Sequence, residues 1–425
     1  MIKPLRSYFL ILLMLLQVSV YASFILIPMD EHSQKNHLKA YGIAFKALER
    51  EIPVDWLLNY RGGSFMMMYD TEIENDCKIR GVSYEIISNG QSTTIISQIA
   101  EPTVNMDVVK LQKAPKVAVY SPPNQQPWDD AVTMVLTYAE IPYDIIYDEE
   151  VLNGKLLLYD WLHLHHEDFT GQYGKFWARY KNQAWYKEQV RISLETANRH
   201  GYNKTSQLKL AVAKKIRDFV IGGGFLFAMC SAPDSYDVAL AAEGVDICET
   251  PFDGDPMNPN AQNLLNYNNS FAFKDYKISK NPYEYEISTI DIKANQRMRS
   301  VKENNDFFTL FDFSAKWDPV PTMLCQNHTQ VIKGFYGQTT AFEKSLLKSS
   351  TLVLGQNKAL GEAKYIHGEQ GKGTWTFYGG HDPEDYRHLV GDPKTDLNLR
   401  PNSPGYRLIL NNILFPAAKK KKRKT

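Results

Sequence analysis

The residues able to do chemistry gather where short apolar runs end. Phe225–Met229 is five apolar residues in succession, the composition of a strand buried on both faces. Cys230 follows at once, and Ser231–Asp234 opens a helical stretch reaching Glu243. A sharp strand-to-helix turn exposes a nucleophile, and backbone N–H groups at a helix start favour a thiolate. His381 follows another such run, Trp375–Tyr378, after Gly379 and Gly380, which permit close backbone approach. Asp382 and Glu384 stand beside it and could orient the imidazole. The expected chemistry is hydrolysis: Cys230 attacks, His381 carries the proton, and one of the two acids orients the ring. The alternative is a small buried cysteine and a loop histidine bonded to backbone.

A second cluster is His163, His165, His166, Glu167 and Asp168. Strand alternation puts His163 and His165 on one face and His166 on the other. Such residues can ligate a metal, and a metal hydrolase using His165, His166 and Asp168 would need them to converge with His381. Alternate strand residues rarely meet at one ion unaided. The cluster is therefore read as a strand end bonded to the loop containing Gly171, with no metal and no cofactor expected. In a cysteine hydrolase, oxyanion-stabilising N–H groups would come from this loop near Gly171 and from the turn at Ser231. A third feature, Arg61-Gly62-Gly63-Ser64, could hold an anion or be an ordinary glycine turn. Neither a phosphate-loop motif nor a dinucleotide fingerprint occurs.

The elements that must position these residues alternate. Phe24–Met29, the helical spacing over Gln34–Arg50 and Val54–Tyr60 read as a βαβ start. After a boundary at Lys110–Pro115 come a strand at Lys116–Tyr120, a loop at Ser121–Pro127 and a helix over Trp128–Ala139. Asp129 and Asp130 fall in its first turn, where acids suit the helix dipole. Strands at Tyr143–Tyr147 and Tyr159–Leu164 follow, then an amphipathic helix over Leu208–Val220. Strands alternating with helices predict an α/β fold, a parallel sheet with helices on both faces. Ligands in such sheets bind at the carboxyl ends of strands. Residues 23–112 form an N-terminal α/β segment, and 113–416 the main domain. Pro251–Asn305, rich in Asn, Asp, Tyr and Pro, reads as an insertion or lid.

The chain of 425 residues, 44% apolar, is long enough for a sizeable core. Lys+Arg and Asp+Glu both number 48, a balance that points to no nucleic-acid partner. The first 22 residues read as an export signal: Lys3 and Arg6, then the apolar Phe9–Val20, then Val20-Tyr21-Ala22. An apolar run of about 12 residues falls short of a span of about 20. The expectation is an exported protein, periplasmic or outside the cell, with no stable membrane span after cleavage. An uncleaved anchor is the alternative. Lys419–Lys424 reads as a solvated basic tail. Four cysteines without paired spacing suggest neither a zinc motif nor a dense disulfide framework, though one disulfide is possible.

On three motifs in order, residues from about 115 to 416 resemble the class I glutamine amidotransferase-like superfamily, which includes the ThuA-like proteins. The motifs are Leu162–Gly171 at the oxyanion-loop position, FLFAMCSA at Phe225–Ala232, and YGGHDPE at Tyr378–Glu384. The resemblance implies a flavodoxin-like fold and a Cys-His-Glu triad acting through a thioester, with Cys230 nucleophile, His381 base and Glu384 or Asp382 orienter. Ala228 and Ala232 stand where the amidotransferases have glycine, and Asp382 intervenes in their His-Pro-Glu. The whole chain also resembles exported proteins commonly named asparagine synthetase B, through PMDEHSQKNHLKAYG, DWLLNYRGGSF and HLHHEDFTGQYG. An ATP-dependent synthetase of that name needs a cysteine after the initiator Met and a Ser-Gly-Gly-x-Asp-Ser loop. Ile2 holds the first position and the loop is absent. The alternative to an enzyme is a non-catalytic relative binding a small molecule, glycan, peptide or protein partner in the same cleft, with Pro251–Asn305 shaping the surface.

Overall fold

The computed structural model describes residues 23–124, 126–292 and 301–419. The expected export signal and nearly all of the basic tail fall outside them. No helix among the described residues is long and apolar enough to cross a membrane.

Two sheets share one interior. The first holds β1 (Ser23–Ile27), β2 (Val54–Leu58), β3 (Ser64–Met68), β4 (Glu85–Ser88) and β5 (Asp107–Leu111) in the order β4-β1-β3-β2-β5. All its pairings are antiparallel. The βαβ start is present in split form, because β3 lies between β1 and β2. The tight turn at Tyr60–Gly63 sends the chain straight back, and a turn that short joins only antiparallel strands. Helix His37–Glu49 packs on this sheet and also against helices Ala131–Ala139 and Pro404–Leu414 of the second part. One apolar cluster accordingly runs from Ile25 and Trp56 through Val132 and Leu136 to Leu408 and Ile413. The buried Arg407 fixes the join: its guanidinium donates to Met29 O at 3.1 Å, to Gly62 O and to the Tyr41 hydroxyl at 3.0 Å.

The second sheet is an α/β sheet with a parallel half. It contains β6 (Val117–Tyr120), β7 (Asp144–Ile146), β8 (Trp161–Leu164), β9 (Phe225–Met229), β10 (Phe307–Leu310), β11 (Val331–Lys333), β12 (Phe342–Glu343), β13 (Leu352–Asn357), β14 (Glu362–Gln370) and β15 (Gly373–Tyr378). The order is β11-β10-β13-β14-β15-β9-β8-β6-β7, with β12 on β14. The five strands β7-β6-β8-β9-β15 are mutually parallel. Numbered among themselves they run 2-1-3-4-5, the flavodoxin-like order. The strands on the far side of β15 pair antiparallel. The sequence pattern does not mark them: β14, for example, reads Glu-Ala-Lys-Tyr-Ile-His-Gly-Glu-Gln, in which apolar and polar residues do not alternate cleanly.

The stretch read as a lid at Pro251–Asn305 is partly core. Phe271, Phe273 and Tyr276 are buried. The Asp237 carboxylate accepts the N–H groups of Phe271 and Ala272 at 2.8 Å and of Phe273 at 3.0 Å. Of the described residues in this stretch, Tyr285 and Glu286 reach the cavity described next. Residues 293–300 of that stretch lie outside the described residues.

Candidate functional site

The carboxyl ends of β6, β8, β9 and β15 are neighbours, and each delivers polar side chains to one place. The loop after β6 ends at Asp129 and Asp130. Asp130 caps helix Ala131–Ala139, accepting from Val132 N at 2.7 Å and Thr133 N at 3.0 Å. Its other oxygen lies 3.3 Å from His163 Nε2, while His165 Nδ1 is 3.7 Å from the capping oxygen. A capping carboxylate is thereby placed at the switch point between β6 and β8, where flavodoxin-like sheets bind ligands.

β8 ends at Leu164, so alternation stops there. His165 and His166 turn toward each other, with ring centroids 4.7 Å apart. The expected opposition of His166 to the other histidines does not occur, because the chain has left the strand. β15 ends at Tyr378, and Gly380, at φ +96°, swings His381 over the same spot. The His381 ring is 4.4 Å from His165, 5.8 Å from His166 and 4.0 Å from His388, centroid to centroid. The ligand atoms of His165, His166 and His381 all lie within 4.8 Å of one another, as do those of Asp129, His381 and His388. Both ring nitrogens of His165 and His381, and Nδ1 of His166, are buried without a hydrogen-bond partner. The Trp128 indole N–H donates to His166 Nε2. The loop contacts expected of a simple strand end are thus missing from these rings.

Second contacts fix the flanking rings. His163 Nδ1 is 3.3 Å from Phe227 O, and its Nε2 faces Asp130. His388 Nδ1 is 3.0 Å from Asp385, and its Nε2 lies 3.2 Å from Asp129. Burial, reinforced by the neighbouring imidazoles, pushes His166 and His381 well below the usual histidine range. Burial takes His165 to about 4, against the pull of Asp130. Burial would raise the Asp130 carboxyl, but His165 and His163 outweigh it and hold the group well below the carboxylate range. Near neutral pH the cluster therefore offers uncharged imidazole lone pairs beside an ionised carboxylate.

Cys230 occupies the expected turn, at φ +56° between β9 and helix Ala232–Ala241. Its N–H donates to Gly380 O at 3.1 Å, and Gln338 N–H donates to its sulfur at 3.4 Å. The expected depressed thiol does not result. Burial drives its pKa up to about 11, and the N–H groups of Gln338, Ser231 and Thr339 recover only part of that. All four cysteines are free, and Cys248 donates to Thr170 O, so the possible disulfide is not formed.

The proposed acid partners do not hold His381. Asp382 accepts from Glu384 N at 2.8 Å and from the Thr395 hydroxyl at 2.7 Å, while Glu384 lies 3.3 Å from Arg400. Asp168 turns away from the histidines and caps its own loop, accepting from Thr170 and Gly174 N. Glu167 accepts from the Tyr147 hydroxyl at 3.2 Å, and burial lifts it to about 7 despite Lys209. Gly171, at φ +84°, is needed because a Cβ there would sit 2.7 Å from the Ser206 backbone. Ser231 is buried at the helix start. Arg61 is engaged by Asp30 at 3.1 Å and Glu85 at 2.8 Å on the first sheet, which leaves it no anion to hold.

Asp129, Asp130 and His388 join the cluster without having been singled out as site residues. The first two were visible as an acidic pair entering a helix after β6. His388 lies in a loop with no pattern to mark it.

The cluster opens on a cavity of about 390 Å³. Cys230, His166, His381 and His388 line its floor, and Trp128, Phe176, Tyr285 and Leu389 its walls.

No family model matches the chain, and no curated protein matches it. Solved structures that are similar include the cytoplasmic proteins STM3548 from Salmonella typhimurium and STM1381 from Salmonella typhimurium LT2. They are 10% and 11% identical, each covering 72% of this chain and 100% of their own, at a TM-score of 0.35. The GH42 beta-galactosidase Gan42B is 11% identical, covering 64% of this chain and 28% of its own, at a TM-score of 0.26.

Proposed function

We propose that the protein is a metal-dependent hydrolase whose ion is held by His165, His166 and His381. The observation that carries this is the convergence of the three imidazoles within 4.8 Å, with buried ring nitrogens that bond to nothing. Burying such groups unpaired costs about 1–3 kcal/mol each, so a cluster of them implies a missing partner. The contacts His163–Asp130 at 3.3 Å and His388–Asp129 at 3.2 Å put carboxylates behind and beside the three rings, as second partners stand around metal-binding histidines. Three histidines and an open side toward a cavity are the donor set of hydrolytic zinc sites.

An ion so held would acidify a water and polarise the bond to be cleaved. The chain's own groups do the rest. Asp130 keeps His163 and His165 oriented, as carboxylates behind metal-binding histidines do. His388, held by Asp385, lines the cavity and can carry a proton to the leaving group. The aromatic walls exclude bulk water.

A thiol route is the second reading. It rests on the strained turn at Cys230 and the Gln338 N–H aimed at its sulfur, and it would fit the amidotransferase-like resemblance. The two are separated by assaying amide, ester and phosphoester substrates before and after dialysis against a chelator. The metal reading expects chelation to abolish turnover, zinc, cobalt or manganese to restore it, and His381→Ala to remove it. Turnover indifferent to chelation and lost in Cys230→Ala would establish the thiol route. Export to the periplasm or beyond is part of the proposal, tested by fractionating cells and sequencing the mature N-terminus.

A further inference from the structure

The cavity carries information about what it takes. Its walls are aromatic and aliphatic, yet two guanidinium groups, Arg179 and Arg387, stand among them. Both are exposed. Among the described residues neither is paired with a carboxylate, although arginines elsewhere on this surface are, such as Arg80 with Glu140 and Arg191 with Glu195. Among the described residues one acid, Glu286, also lines the space, so cationic groups there outnumber anionic ones. A smaller adjoining cavity of about 240 Å³ shares Phe176, Arg179, Tyr180, Tyr285 and Glu286 with the first. Arg179 therefore stands where the two spaces meet, and Arg387 beside the histidine floor.

We propose that the substrate of this site is an amide or ester bearing a free carboxylate and an apolar, preferably aromatic, body. Arg387 and Arg179 receive the carboxylate, a group that suits the planar guanidinium fork. The body lies against Trp128, Phe176 and Tyr285, and the bond to be cleaved sits over His166 and His381. Water adds to the carbonyl carbon, the C–N or C–O bond breaks, and the leaving nitrogen or oxygen takes a proton. This assignment rests on the metal-hydrolase reading for the bond cleaved but not for the recognition of the anion.

The test measures binding of hippurate, its neutral analogue hippuramide, and phenyl phosphate by calorimetry. It uses wild type, Arg179→Gln, Arg387→Gln and the double variant, each zinc-loaded and each chelator-stripped. Both arginines are exposed, so the variants should fold, and circular dichroism and zinc content check this. The expected result is that hippurate binds at least about tenfold more tightly than hippuramide in wild type. That preference should collapse in the double variant at unchanged zinc content, and it should persist in stripped wild type. Equal binding of the acid and the amide, a preference that survives in the double variant, or no binding of hippurate overturns the proposal. Tighter binding of phenyl phosphate than of hippurate also overturns it, in favour of a phosphate substrate. Failure to load zinc with the hippurate preference intact would instead refute the metal reading alone.

Discussion

The His381 ring lies flat on that of His388, with centroids 4.0 Å apart and planes 11° from parallel. His388 in turn stands between two carboxylates, Asp385 at 3.0 Å and Asp129 at 3.2 Å. The stack ties the end of β15 to the loop after β6, so His381 is held by its neighbours rather than by the acids that follow it in sequence. A ring fixed by stacking keeps both nitrogens available, which is the condition for a ligand.

Asp130 is expected to govern metal affinity while contributing little to catalysis directly. Asp130→Asn keeps the helix cap but removes the charge facing His163 and His165. Zinc affinity should fall about 10–100-fold, the usual cost of losing a partner behind a ligand. Competition against a chromophoric chelator reads this out, and unchanged affinity would show that Asp130 serves only as a cap.

Cys230 should label slowly. With its thiol pushed up to about 11 by burial, the thiolate fraction near pH 7 is negligible and rises tenfold per pH unit. Iodoacetamide labelling followed by mass spectrometry should therefore climb through pH 10 without a plateau. A midpoint below pH 8, lost in His381→Ala, would indicate an activated thiolate.

Gly337 packs directly against the turn that carries His381. A Cβ there would lie 2.7 Å from the backbone of Gly380 and His381. Gly337→Ala should push the β15 terminus outward, cost about 1–3 kcal/mol and weaken metal binding together with stability. A variant with full stability would contradict this account of the close approach. One with lowered stability and unchanged affinity would separate Gly337 from the site.

Asp237→Ala tests the packing of the stretch after helix Ala232–Ala241. It strands the N–H groups of Phe271, Ala272 and Phe273 and should cost about 3 kcal/mol or more in urea unfolding. A loss under about 1 kcal/mol would mean that water replaces the carboxylate.

The parallel half of the second sheet was legible because its strands are short apolar runs followed by polar residues. Phe225–Met229 was found to the residue, and the turn at Cys230 followed from it. His165, His166 and His381 each stand out in the sequence at the end of an apolar run, but their convergence does not. That depends on β8, β9 and β15 being neighbours and on chain bends past Leu164 and Gly380, which no local pattern encodes. The acid partner was misplaced for the same reason. Asp382 and Glu384 adjoin His381 in sequence, whereas the residue stacked on it is His388, further along the same loop. The antiparallel strands β10 to β14 were missed because nothing in their spacing sets them apart from the polar stretch before them.

An ion held by His165, His166 and His381 would be seen first in the metal stoichiometry of the purified protein. Wild type and the His166→Ala/His381→Ala double variant would be equilibrated with limiting zinc, freed of unbound metal and analysed by elemental mass spectrometry. The expected result is about one tightly held ion per chain in wild type and its loss in a double variant that remains folded. Equal zinc in both proteins, or none in either, would contradict it.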